Sequence, residues 1–446
     1  MRVTVIGCGY LGAVHAAVMA EFGHDVVGID IDERKVEALS AAQAPFYEPG
    51  LPELLQSSID SGRLRFTWDI GAAGRSTDHP GPTVHFICVG TPQRRGEYAA
   101  DTSYVDAAVT ALLPHLRPGD LVVGKSTVPV GTAGRLTQLV EQGAPGAMLA
   151  WNPEFLREGH AVQDTRRPDR IVYGLPADPD QAGSAQALLD AVFADPIAAG
   201  VPVITADLAT AELVKVSANA FLATKISFIN AMAEVCEAVG ADVTTLAQAI
   251  GHDDRIGPKF LGAGLGFGGG CLPKDIRAFM ARAGELGADQ ALAFLREVDA
   301  INMRRRIRMV DLAREQVGGS FLGRRVAVLG AAFKPLSDDI RDSPALNVAA
   351  QIRLQGGEVT VTDPAAVQNA RQAWPDLRLV ESVEEACAGA DVVLLLTEWQ
   401  EYRDLDPDKV GELVNNRHIL DGRNALDPVR WRAAGWTYRA LGRPRA

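Results

Sequence analysis

The run Val3-Thr4-Val5-Ile6 passes directly into Gly7-Cys8-Gly9-Tyr10-Leu11-Gly12, and this junction restricts the fold more than any other feature. A β-branched run that ends on G-x-G-x-x-G and continues into helix-forming residues describes a strand turning through glycines into a helix. Gly7 makes the tight turn, Gly9 lets backbone approach a pyrophosphate, and Gly12 lets helix and strand pack closely. The phosphates then rest on the helix N-terminus, where unpaired N–H groups and the dipole favour anions. A second strand-like run, Asp25 to Ile29, is followed by Asp30, close to the separation of about 20 residues expected for the ribose-binding acid. A carboxylate there accepts both ribose hydroxyls and repels a 2′-phosphate, which selects NAD over NADP. Lys35, in the next helix, can approach the adenosine side or simply face solvent.

Further β-rich runs at Val84 to Val89, Asp120 to Val123 and Ala147 to Trp151 alternate with helical stretches, the pattern of a doubly wound parallel sheet. From Asp207 to Val239 apolar residues recur at helical spacing without proline or glycine, predicting one helix of roughly nine turns. Helical patterning continues to about Gln316. Beyond Gly318 and Gly319 the alternation restarts, with strands at Arg325 to Leu329, Glu358 to Val361, Val392 to Leu396 and His418 to Leu420. The predicted architecture is α/β: two Rossmann-like doubly wound domains, at 1–200 and 318–446, joined by a central all-helical domain at 201–317 that carries one long helix. For 446 residues, three domains agree with a typical domain size of about 150 residues.

Charge and cysteine usage exclude several classes. A net charge of −12 opposes nucleic-acid binding, which depends on clustered Lys and Arg. The basic run Arg304 to Arg308 reads as a solvated helix face. No apolar run approaches the length of about 20 residues that spans a bilayer, and the first residues read as a strand rather than a secretion signal, so a cytoplasmic protein is expected. Five cysteines, Cys8, Cys88, Cys236, Cys271 and Cys387, are odd in number and lack C-x-x-C spacing, which argues against a disulfide framework and against zinc or another metal.

One cysteine stands apart. Six glycines fall within Gly262 to Gly270, immediately before Cys271-Leu272-Pro273-Lys274-Asp275. Such a loop lets backbone come close to a ligand, and Pro273 suits the first turn of a helix. Cys271 then lies at a helix N-terminus beside Lys274, where the dipole and the cation favour the nucleophilic thiolate. The other four cysteines read as small buried residues.

The segment Gly266 to Asp275 resembles the nucleophile loop of the UDP-glucose/GDP-mannose dehydrogenase family. Similar matches occur at Phe46 to Leu51, Val89 to Pro92, Lys125 to Thr132, Asn152 to Gly159 and Lys215 to Phe221, so the resemblance covers essentially the whole chain. It implies oxidation of a nucleotide-sugar primary alcohol to a carboxylate, four electrons in all, with two NAD reduced. It also implies covalent capture of the aldehyde by Cys271, oxyanion donors at Lys215 and Asn219, Asp275 as base or water-orienting group, Thr127 holding that water, and Glu154 as an acid/base. Implied cofactor contacts are Leu11, Thr91, Thr127, Glu158, Lys274 and Arg341.

Implied substrate contacts are Glu154, Phe155, Leu156, Arg157, Lys215, Asn219, then Phe260, Leu261, Gly262, Ala263, Gly264 and Gly268, with Phe333, Lys334 and Arg423 at the uridine diphosphate. Arg255 resembles an arginine that reaches a neighbouring subunit's substrate, which implies a homodimer or a higher homo-oligomer. Within the family, Lys274 after Pro273, the Tyr47 to Gly50 segment and the Asn219 to Asn230 helix resemble members acting on UDP-glucose more than those acting on GDP-mannose or N-acetyl sugars. Gly270, where a serine is common, and Ala231, where a glutamate is frequent, depart from the pattern. A two-electron hydroxyacid dehydrogenase of similar layout needs no thiol, and a non-enzymatic NAD sensor needs none of Cys271, Lys215, Asn219 and Asp275.

Overall fold

The computed structural model describes residues 1–74 and 79–444. By internal packing the chain falls into two units, Met1–Ala218 with Arg277–Leu286, and Asn219–Ile276 with Gly287–Ala446.

In the first unit, strands β1 (Arg2–Ile6), β2 (Asp25–Ile29), β3 (Leu64–Thr67), β4 (Val84–Ile87), β5 (Leu121–Gly124), β6 (Met148–Trp151), β7 (Ile171–Leu175) and β8 (Val203–Asp207) form one sheet in the order 3-2-1-4-5-6-7-8. All neighbours are parallel except β6 and β7. The order reverses between β1 and β4, the switch point at which such sheets bind dinucleotides. Strand side chains alternate between two cores, as the period of two requires: Val3, Val5, Phe86 and Val123 enter one, and Ile6, Ile87 and Val122 the other.

In the second unit, β9 (Arg325–Leu329), β10 (Glu358–Thr362), β11 (Arg378–Val380), β12 (Val392–Leu395), β13 (His418–Asp421) and β14 (Thr437–Ala440) are parallel in the order 11-10-9-12-13-14. Renumbered from its own first strand, this is again 3-2-1-4-5-6. The predicted pair of doubly wound sheets is therefore present, and the predicted long helix runs Leu208–Val239.

Two expectations need correction. The stretch from residue 201 is not all helical, because β8 extends the first sheet by pairing with β7 from Val203 to Asp207. Its residues are mostly exposed, so it lacks the apolar signal of a buried strand. The run Arg304 to Arg308 is only in part a solvated face. Arg305 and Arg306 are 0% and 2% exposed, with Arg305 paired to Glu237 at 3.1 Å and Arg306 to Asp342 at 2.8 Å. Carboxylates distant in sequence offset the burial of charge, and a local charge count does not reveal them.

Candidate active site

The glycine fingerprint opens the helix Tyr10–Glu21, with Gly9 at its N-cap, no side chain capping it and no acid in its first turn. A Cβ on Gly12 would lie 1.8 Å from the Gly7 carbonyl oxygen, whereas one on Gly9 would meet nothing within 4 Å. Gly7 has φ +90°, the left-handed region that glycine occupies freely. Helix-to-strand packing thus requires Gly12, and the space over Gly9 leaves the first N–H groups available to an anion.

Asp30, 7% exposed, accepts from the Cys8 N–H at 2.8 Å, the Asp32 N–H at 3.0 Å and Lys35 Nζ at 3.0 Å. Lys35 is therefore tied to Asp30 rather than loose at the surface. Thr91 donates to the Thr127 carbonyl at 2.7 Å, which brings two predicted cofactor residues together at the ends of β4 and β5. Leu11 is half-buried against the same core. These features form a cradle that fits NAD.

After β6 the chain turns at Asn152-Pro153-Glu154. One Glu154 oxygen accepts from the N–H groups of Phe155 and Leu156 at 2.7 and 2.9 Å, and the other lies 3.0 Å from Lys125 Nζ. Burial opposes ionisation of Glu154, but the Lys125 ammonium and the two N–H groups together hold its carboxyl below the usual range. Glu154 is therefore a carboxylate at neutral pH, suited to accepting a proton rather than supplying one. Lys125 opens the Lys125 to Thr132 match without a role predicted for it; a lysine directly after a fully buried strand is the signal of a buried partner.

Phe155 lies under Arg170, with Lys215 Nζ 5.6 Å from its ring. Arg157 is held bidentately by Asp164. Glu158, half-buried, follows it in the same turn.

In the second unit Cys271 is exposed while the other four cysteines are buried. It immediately precedes the helix Leu272–Glu285, as predicted. Asp275, 3% exposed, donates its N–H to the Cys271 carbonyl at 2.9 Å and accepts from Lys274 Nζ at 2.5 Å and Asn219 Nδ2 at 2.7 Å. Asn219 lies one helical turn beyond Lys215 on the long helix.

The glycines before Cys271 are required mostly by the protein's own atoms, which qualifies the expectation that they serve a ligand. A Cβ on Gly264, Gly266, Gly268 or Gly270 would come within 2.4 Å of Gly422 O, Asn302 Oδ1, Asp342 O or the Arg341 guanidinium, respectively, and Gly262 alone of the six meets open space. Asn302 accepts from the Phe267 N–H at 2.7 Å and donates to its carbonyl at 2.9 Å. Asn230 accepts from the Gly264 N–H. Leu261 and Ala263 are buried, and Phe260 is partly exposed with φ +64°.

Arg341 is bidentate to Asp339 and folds over Gly270. Arg423 gives its donors to the carbonyls of Leu396, Gly266 and Phe333, so it braces the loop around Phe333 and Lys334. Lys334 Nζ sits 5.4 Å from the Phe333 ring. Arg255 is 88% exposed on a turn, paired with Asp253.

Residues 1–195, 209–304 and 327–428 match, in order, the NAD binding domain, the central domain and the UDP binding domain of the UDP-glucose/GDP-mannose dehydrogenase family. The chain belongs to this family. The chain is 41% identical over its full length, and the full length of the relative, to the UDP-glucose 6-dehydrogenase of Rhizobium meliloti. It also resembles the solved UDP-glucose dehydrogenase of the archaeon Pyrobaculum islandicum, with a TM-score of 0.87 and 36% identity over 99% of this chain and 98% of that one. A UDP-D-ManNAc dehydrogenase from Pyrococcus horikoshii superposes with a TM-score of 0.85 at 26% identity, with both chains covered completely. Membership of the UDP-glucose/GDP-mannose dehydrogenase family makes this an oxidoreductase with NAD as cofactor, and the 327–428 match gives it a nucleotide-sugar domain. Among the described residues no helix is long and apolar enough to cross a membrane.

Proposed function

We propose that this chain oxidises the primary alcohol of UDP-glucose to the carboxylate of UDP-glucuronate, consuming one water and reducing two NAD. The observation that carries the reading is the exposed Cys271 above the linked Asp275, Asn219 and Lys274, in a chain 41% identical to a UDP-glucose 6-dehydrogenase. A two-electron enzyme would have no use for that thiol.

NAD would be held at Gly7, Gly9, Leu11, Gly12, Asp30 and Lys35, with Thr91, Thr127, Glu158, Lys274 and Arg341 as the further contacts the family implies, and would supply the electron acceptor for both oxidations. Cys271 Sγ adds to the aldehyde carbon, a C–S bond forms, and the carbonyl electrons move to oxygen. Lys215 and Asn219 hold that oxyanion. The Asp275 bond uses one Asn219 N–H and leaves the other free to donate. Oxidation of the adduct leaves a thioester. Asp275 and Thr127 orient water against it, and C–S cleavage releases the carboxylate and returns the thiol. Glu154 accepts protons at the aldehyde and thioester stages. Substrate contacts fall to Glu154 through Arg157, Lys215, Asn219, Phe260 through Gly264, Gly268, Phe333, Lys334 and Arg423.

The three matched segments support an NAD domain, a central domain and a UDP-sugar domain, with the first boundary moved from 200 to Asp207 by β8 and the second at 317. Exposed Phe221, Phe228 and Val235 recur every seven residues along the long helix, which supports burial of that stripe against a second copy as a homodimer, with Arg255 reaching across. The reduced cysteines and a nucleotide-sugar substrate fit the cytoplasm.

Purified protein offered UDP-glucose, GDP-mannose and UDP-N-acetyl sugars should form two NADH per UDP-glucose, with UDP-glucuronate as product. A yield of one NADH, or turnover of GDP-mannose alone, would refute the reading. Cys271→Ser should lose acid formation by at least about a thousandfold, read by chromatography of the product.

A further inference from the structure

Lys125 stands at the end of β5 with its side chain 5% exposed. A lone buried ammonium is costly, so its surroundings must offset the loss of water. Four contacts do so. Nζ donates to Asn152 Oδ1 at 2.8 Å, lies 3.0 Å from Glu154 Oε2, and sits 5.8 Å from the ring centres of Phe86 and Phe193. Asn152 is held in turn, donating to the Val172 carbonyl at 3.0 Å.

Two further titratable groups beside the pair, His15 and Cys88, carry no charge at neutral pH, while Arg170 and Lys215 pack against the ring of the next residue, Phe155. His15, on the fingerprint helix, is fully buried, and burial pushes it well below the usual histidine range. Cys88, just after β4, is pushed by burial up to about 12. Lys125 is therefore the cation that Glu154 meets in this core, and Glu154 the anion that Lys125 meets.

Among the described residues the protein occupies only part of the carboxylate's acceptor capacity. Both Oε1 positions are taken by the Phe155 and Leu156 N–H groups, Oε2 carries Lys125, and the Glu154 side chain is 18% exposed. One Oε2 lone pair remains for a proton or a water from outside.

We propose that Lys125 is a positioning residue for Glu154, fixing its rotamer and its anionic state so that a single oxygen lone pair faces the reacting proton. The proposal rests on the reading that Glu154 transfers protons in the oxidation. It explains why a lysine, rather than an apolar residue, directly follows the wholly buried strand β5.

The test is the pH dependence of kcat at saturating UDP-glucose and NAD for the wild type, Lys125→Met, Lys125→Gln, Lys125→Arg and Glu154→Gln. In the Met and Gln variants the acidic limb should move up by about one pH unit or more, equivalent to roughly a tenfold loss at a fixed pH on that limb. Lys125→Arg, which keeps the charge, should return the limb toward the wild-type position.

An unmoved limb in Lys125→Met, together with a strongly impaired Glu154→Gln, overturns the proposal and leaves the role of Glu154 standing. Full turnover by Glu154→Gln overturns that role instead. If neither neutral Lys125 variant folds, the double variant Lys125→Met/Glu154→Gln decides: folding recovered by removing both charges supports the pair, and failure of the double variant reduces Lys125 to a structural part and sinks the proposal.

Discussion

The two sheets begin alike and then diverge. After β1 the Gly7 N–H meets the Ile29 carbonyl at 2.8 Å and the Cys8 N–H meets Asp30; after β9 the Gly330 N–H meets the Thr362 carbonyl at 2.8 Å and the Ala331 N–H meets Asp363 at 2.7 Å. In the first half the chain enters its helix at Tyr10. In the second, the residues from Ala331 to Ser343 intervene before the helix Pro344–Leu354. Asp30 accepts from two backbone N–H groups and Lys35. Asp363, 3% exposed, accepts from Ala331, Ala332, Ala365 and Ala366 N–H groups and from Trp399 Nε1. The same scaffold position thus keeps acceptor capacity in one half and is a structural hub in the other, according to how many of its lone pairs the protein already uses.

Removing each acid should separate these roles. Asp363→Ala strands several buried N–H donors and should cost about 3–5 kcal/mol in unfolding free energy, measured by chemical denaturation. Asp30→Ala should cost only about 1–2 kcal/mol while raising the Kd for NAD at least tenfold; equal stability losses would break the comparison.

The glycines sharpen it next. A Cβ on Gly330 would sit 2.4 Å from Thr397 Oγ1, at φ +118°, so Gly330→Ala should destabilise by about 2–3 kcal/mol. Gly9→Ala should leave the melting temperature nearly unchanged, within about 0.5 kcal/mol, yet weaken NAD binding severalfold in calorimetry.

The last contrast concerns acid. Burial lowers the histidine pKa of His15, His24 and His85, all in the first unit. The folded form then binds fewer protons than the unfolded one, so the stability they contribute is complete above the unfolded value near 6.5 and is lost as pH falls below it, by up to about 1.4 kcal/mol per pH unit for each group. Hydrogen exchange should show β1, β4 and β5 loosening before β9 and β12 between pH 7 and 5. His15→Leu should shrink that gap; an unchanged gap would remove His15 from the account.

The first half was the easier to read in sequence because its information is local. Gly7, Gly9, Gly12 and Asp30 fall within one βαβ stretch, and Cys271 with Pro273 announces its own helix start. What escaped depends on distant partners or on weak strands. Lys125 gains its meaning from Glu154, and Arg305 from Glu237, neither of them near in sequence. Asp363 looked ordinary because the loop after Leu329 no longer spells the fingerprint. β11 is only three residues long, too short for a periodic signal, β14 reads Thr-Tyr-Arg-Ala without an apolar run, and β8 is too exposed for one.

Asn302 has a consequence of another kind. Its amide offers Phe267 one acceptor and one donor, the two bonds a neighbouring strand would offer, from a position 35 residues away. An aspartate there would set oxygen against the Phe267 carbonyl, a leucine would satisfy neither group, and a glutamine would overshoot by a methylene. The shape of the loop leading to Cys271 is therefore written partly in a single letter outside it, one that has no synonym.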